Sequence, residues 1–246
     1  MATPIELLPS PVPPTTTLSI WKKLPFIPSW VTHHTKPLLY HSKWCQLEQH
    51  TIIIPHTVND DNLNKHNEHA ATITRTTVNE SSNTLLHPES NTISDWCWIV
   101  TPNYINVAIC TVDHEWIVFY QNKYAVNYQL KSNTLAPVGG YIDNNELPLH
   151  AAQRECLEEC GYTSTQWYTL HECVSDANRG GGIGYLFVCF DAVYSGTTQS
   201  DDLEQQHQLS LTTDELEICL LNGEFKCQAW IACMSLALLQ YKRRYK

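Results

Sequence analysis

The stretch at residues 140–162, GYIDNNELPLHAAQRECLEECGY, constrains this chain more than any other. Within it Glu155, Glu158 and Glu159 stand three and four positions apart, so a helix would bring all three to one face. Like charges gathered on one turn repel, and helix propensity does not ask for them. A bound cation offsets that repulsion most simply. Hard divalent ions take carboxylate oxygens, with substrate phosphates completing the shell. Arg154, four positions before Glu158, can brace a carboxylate with paired hydrogen bonds. The flanks predict a helix. Pro148 suits its first turn and Gly161 the left-handed position past its last. Leu149, Ala152 and Cys156 form an apolar stripe opposite the acids. Ahead of the helix, Gly139, Gly140, Asp143, Asn144 and Asn145 make a loop that returns Glu146 toward the same place.

Gly140, Glu146, Arg154, Glu155, Glu158, Glu159 and Gly161, with Cys156 and Tyr162 at apolar positions, resemble the signature of the Nudix hydrolases at every fixed position. An amphipathic helix with a solvated acidic face would account for the glutamates. It would not account for Gly140, Glu146 and Gly161 at their spacing. The likeness extends over about residues 95–243. Residues 106–109 (NVAI), 118–123 (VFYQNK) and 135–140 (LAPVGG) resemble the ADP-ribose and ADP-sugar pyrophosphatase branch. There a strand bearing a Gln and a basic residue, here Gln121 and Lys123, precedes a Pro-x-Gly-Gly turn. Two departures bear on substrate and not on chemistry. Leu135 stands where that branch carries Glu, and Asn178, Arg179 and Gly180 replace its customary proline after the signature.

The remaining sequence sets bounds. At 246 residues and 43% apolar content the chain can bury a core, as one large or two small domains. A net charge of −10 argues against non-specific nucleic-acid binding. A negative protein that handles phosphates needs local cations, which again points to metal. No apolar run is long enough to span a bilayer. Ten cysteines lie scattered without a C-x-x-C pair, so a structural zinc site is not expected and a reducing, cytoplasmic setting is.

Along the chain, residues 1–37 are expected to form a Pro/Thr-rich arm, with residues 21–26 (WKKLPF) as an anchor within it. Residues 38–94 are expected to be a β-rich segment carrying a polar insert at 59–94, with a strand at 71–78. Residues 95–246 form the third unit. Strands are expected at 96–110 and 116–120 with a hairpin turn at 112–115, then at 167–174 and 183–193. Between the last two, residues 175–182 form a Gly-rich loop whose one cation, Arg179, suits a phosphate or a base. An acidic loop follows at 194–206, then a short strand at 209–211. A helix capped at residues 213–215 ends at Asn222 and Gly223, and a second helix runs over 227–241 into a basic tail. The order of elements predicts an α/β (α+β) protein.

The resemblance implies a Nudix-type α/β/α sandwich with a mixed sheet, following the β-rich N-terminal segment. It implies hydrolysis, dependent on Mg²⁺ or Mn²⁺, of a nucleoside diphosphate linked to another moiety, ADP-ribose or a nucleotide sugar foremost. Glu155, Glu158, Glu159 and the Gly139 carbonyl would hold metal, Arg154 would orient the glutamates, and Gly140, Glu146 and Gly161 would support the motif. Arg179, Gln121 and Lys123 would contact substrate, and Glu204 would be the general base. Residues 38–94 would help to form a homodimer. Two alternatives stand: a different Nudix substrate (a dinucleoside polyphosphate, NADH or an RNA cap), or a Nudix fold serving as a structural or binding subunit.

Overall fold

A computed structural model describes residues 31–41, 45–54, 91–196 and 206–245. The arm before residue 31, the strand expected at 71–78 and Glu204 lie outside them. In chain order the elements are β1 (Val31–His41), β2 (Gln46–Ile54), β3 (Asn91–Val100), β4 (Tyr104–Thr111), β5 (Trp116–Gln121), α1 (Tyr124–Leu130), β6 (Thr134–Ala136), β7 (Val138–Tyr141), α2 (Pro148–Cys160), β8 (Tyr162–Thr163), β9 (Gln166–Asp176), β10 (Gly180–Tyr194), β11 (Gln206–Leu211), α3 (Thr213–Leu221) and α4 (Gln228–Arg244).

One mixed sheet runs β1-β2-β3-β10-β4-β5-β11. β10 is its spine, parallel to β4 from Gly184–Tyr104 to Ala192–Thr111 and antiparallel to β9. β4 is buried from Ile105 to Thr111, on both faces of the sheet. Alternation divides its side chains. Ile105, Val107 and Ile109 pack with Ala151, Ala152, Cys156 and Cys160 of α2, while Ala108 and Cys110 pack with Cys233, Met234 and Ala237 of α4. The sheet is thus sandwiched between α2 and the pair α3–α4, as the order of elements predicted.

The strand expected across residues 96–110 is two strands. Pro102, which has no N–H for a ladder, lies in the break at residues 101–103. The break lets β3 join the N-terminal hairpin through an antiparallel pairing with β2, while β4 joins the main sheet. β1 starts at Val31, inside the stretch expected as an arm, and keeps its Pro37 on an edge strand where the missing donor is tolerated. Helix α1 was not expected; Val126 is its one buried residue, so it leaves no apolar stripe in the sequence.

Helix α2 follows its sequence signals. Pro148 opens it, and Gly161 closes it in the left-handed conformation at φ 72°. The cap of α3 is Thr212, one residue earlier than expected. Its side chain and that of Glu215 satisfy each other's backbone N–H groups in a capping box. The basic residues Lys242, Arg243 and Arg244 form the last turn of α4. There Arg244 Nη1 donates to Tyr168 Oη at 2.6 Å and Lys242 pairs with Glu217 at 2.6 Å, tying α4 to β9 and α3. Among the described residues no disulfide is formed. Among the described residues no helix is long and apolar enough to cross a membrane.

Candidate active site

The site forms where the sheet splits. β4 and β5 pair only across Ile109–Ile117 and Cys110–Trp116, then diverge. β7 takes the freed edge of β4 and β6 that of β5. Pro137 sits at the fork between β6 and β7. A cavity of about 440 Å³ opens there, lined by Gln121, Lys123, Gly139, Gly140 and Glu159, together with Tyr104, Asn106, Phe119, Tyr141, Gln206, Trp230 and others. Gln121, Lys123, Gly139, Gly140 and Glu159, all singled out in the sequence, are therefore brought together.

Arg154 organises the acidic side. Its Nε donates to Glu146 Oε1 at 2.9 Å and its Nη2 to Glu146 Oε2 at 3.0 Å. Nη1 donates to Glu155 Oε1 at 2.8 Å and to Glu158 Oε2 at 3.1 Å, and Nη2 also reaches the Tyr141 carbonyl at 3.2 Å. One guanidinium thus binds the end of β7, the loop and two turns of α2. The loop closes on itself: the Glu146 N–H donates to the Asp143 carbonyl, the Asp143 N–H donates to Glu146 Oε2, and Asn145 turns through φ 66°. Hydrogen bonding from Arg154 holds the Glu146 carboxyl below the usual carboxylate range, against partial burial, which raises it.

Gly140 is required by contact. A Cβ there would lie 2.1 Å from Glu155 Oε1 and 2.2 Å from its Cδ, so only glycine lets this carboxylate rest on β7. The Glu155 side chain is 14% exposed and that of Glu158 is 45% exposed, so burial ranks them: Glu155 faces the strand and Glu158 the solvent.

Among the described residues no three carboxylate, imidazole or thiolate side chains stand together as a closed metal cage. Mg²⁺ does not need one, since it keeps waters and takes one or two carboxylates beside substrate phosphates. Glu159 lining the cavity beside Gly139 and Gly140, and Glu155 cradled on Gly140, are hard oxygen donors of that kind. The donor set fits a hard divalent ion.

Arg179 is not in this cavity, and Glu155 and Glu158 stand behind Gly140 and Glu159 without lining it. Arg179 lies at the β9–β10 turn, in a separate hollow of about 360 Å³ with Trp96 and Asn178, paired with Asp176 at 3.7 Å. The glycines around it serve the chain's own packing. A Cβ on Gly180 would strike Trp98 at 2.6 Å, and one on Gly182 the Pro102 carbonyl at 2.6 Å, both at positive φ. Glu204 lies outside the described residues. Conversely, Asn106, Cys227, Ala229 and Trp230 line the cavity without having been singled out. Asn106 did leave a signal, as a polar residue inside a fully buried strand.

A family model described as NUDIX domain matches residues 103–226. A solved structure described as an ADP compounds hydrolase is similar in fold, with a TM-score of 0.60 and 16% identity over 90% of this chain and 99% of that one. No curated protein sequence matches the chain.

Proposed function

Because the chain belongs to the Nudix family of pyrophosphate hydrolases, we propose that it splits the diphosphate bridge of a nucleoside diphosphate joined to another moiety, with ADP-ribose or a nucleotide sugar as substrate. The observation that carries this reading is the single cavity in which Glu159 and the Gly139–Gly140 backbone meet Gln121 and Lys123. The structural neighbour described as an ADP compounds hydrolase agrees with an ADP-containing substrate.

In the reaction a water oxygen bonds to one phosphorus as the bridging P–O bond breaks. Two phosphate-bearing products leave, and a base takes the water's proton. Such chemistry rests on positioning and on neutralising charge. Glu155, Glu158 and Glu159, with the Gly139 carbonyl, would hold Mg²⁺ or Mn²⁺. When bound, the ion polarises the phosphate and makes water a better nucleophile. Arg154 keeps Glu155 and Glu158 in place, and Glu146 keeps Arg154 in place. Lys123 and Gln121 bind and orient the substrate. Glu204 is assigned as the base. Arg179 has no role in this cavity. Residues 38–94 are assigned to a homodimer contact, which light scattering would show as twice the 28.1 kDa chain mass.

The test is a substrate panel with Mg²⁺: ADP-ribose, nucleotide sugars, a dinucleoside polyphosphate, NADH and a capped RNA. ADP-ribose or a nucleotide sugar should turn over with the highest kcat/KM, yielding a nucleoside monophosphate and a sugar phosphate. Preference for a capped RNA or a dinucleoside polyphosphate would replace the substrate, and turnover of none would overturn the proposal.

A further inference from the structure

Alternation along β4 sorts the cavity's polar lining. Neighbouring strand residues face opposite sides of a sheet. Ile105 packs toward α2, whereas Ala108 and Cys110 pack toward α4, so Tyr104 and Asn106 share the α4 side. Glycine leaves room for both. A Cβ on Gly184 would meet the Tyr104 ring at 2.5 Å, and one on Gly139 would meet Asn106 Nδ2 at 2.4 Å. Tyr104 Oη stands 3.3 Å from Ser175 Oγ, which ties the ring to the hairpin of β9 and β10.

Asn106 is 3% exposed, and its Oδ1 has no hydrogen-bond partner among the described residues. A buried amide oxygen left so is costly, and it calls for a hydrogen-bond donor or a cation. Glu159 of α2 is the one carboxylate among the described residues that line the cavity, and a hard cation is drawn to it. What remains for Asn106 is an N–H or O–H of the ligand. The neighbours on this side suit a flat ring that carries an N–H. Tyr104 and Trp230, the latter from α4, line the cavity with Asn106. Aromatic side chains stack on any nucleobase, so they hold a base without reading it. An amide reads it: an Asn that accepts from the amino group of adenine and donates to the adjacent ring nitrogen matches both.

We propose that the α4 side of the cavity is a nucleobase subsite, in which Asn106 Oδ1 accepts a hydrogen bond from the exocyclic amino group of adenine while Tyr104 and Trp230 flank the ring. The subsite rests on the pyrophosphatase reading above and narrows it, because it makes Asn106 the residue that selects the base. The diphosphate then lies at the Gly139–Gly140 backbone, with the carboxylates of α2 on one side and the base on the other.

The experiment is calorimetric titration of the full chain with AMP and with purine riboside 5′-monophosphate, which lacks only the amino group. The wild type should bind AMP about tenfold more tightly, the scale of one well-made contact to a base edge. Asn106→Leu is similar in size and removes an unsatisfied amide from a buried strand, so its Tm should hold or rise. It should bind the two nucleotides equally. Trp230→Leu should weaken both by about fivefold or more and keep the preference for AMP, because stacking does not depend on the amino group. Equal affinity of the wild type for the two nucleotides, or no AMP binding, would overturn the subsite without recourse to any variant. So would a preference that survives Asn106→Leu, or wild-type affinity in Trp230→Leu. Failure of the pyrophosphatase reading would look different: no turnover by the metal-loaded wild type, with the preference for AMP intact.

Discussion

Arg154 and Glu146 face each other through two parallel hydrogen bonds, Nε to Oε1 at 2.9 Å and Nη2 to Oε2 at 3.0 Å, eight residues apart in sequence. This fork fastens the loop to the helix that carries the acids, so it sets the geometry of the site before any ligand arrives. Arg154→Met leaves three partly buried carboxylates without their shared donor. It should cost about 1–3 kcal/mol of stability, read as the shift in a urea midpoint, and should lower kcat more than it raises KM.

The same pair predicts a pH dependence. The folded-state pKa of Glu146 is depressed, chiefly by the hydrogen bonds from Arg154. Its stabilising contribution is therefore fully present above the unfolded value, about 4.3 for Glu, and is lost as pH falls through the lower folded value. The Tm difference between wild type and Glu146→Gln should be flat above about pH 5 and shrink as the solution becomes more acidic. A difference that grew on acidification would contradict the assignment.

Gly140→Ala separates site geometry from fold. The new methyl would overlap the Glu155 side chain from its carboxylate back to Cγ and push it away, while meeting no backbone atom among its nearest neighbours. Tm should change little, while kcat should fall on the order of 10²-fold, the scale of a 1 Å misplacement. Gly161→Ala should do the reverse. Its φ of 72° penalises a Cβ, so stability should fall by about 1–2 kcal/mol, with KM nearly unchanged.

Thiol labelling checks the core. Burial pushes Cys110, Cys160 and Cys233 up to about 12, and the thiolate is the reactive form. At pH 8 a water-soluble thiol reagent should modify exposed Cys97 quickly in the native chain and these three only after unfolding.

Where local chemistry decides structure, the sequence was readable. Pro148, Gly161, the Glu146 loop and the acids of α2 carry their own geometry, and the structure joins them around Arg154. Residues that depend on sheet assembly were harder to read. Arg179 looked like a ligand-facing loop cation, but its neighbouring glycines pack β10 against Trp98 and Pro102, which turns it into another hollow. The break at Pro102 was hidden inside an apolar run. Trp230 and Ala229 reach the cavity because α4 packs across β4 and β10, a tertiary fact with no local signal. Asn106 was within reach, because an amide between Ile105 and Val107 in a buried strand calls for a partner.

Steady-state hydrolysis of ADP-ribose by wild type and by Glu159→Gln, each titrated with Mg²⁺ and then with chelator, tests the central claim most directly. Wild-type turnover should require the ion and vanish on chelation, and Glu159→Gln should lose at least 10²-fold in kcat at unchanged Tm. Metal-dependent turnover that survives Glu159→Gln at the wild-type rate would contradict it.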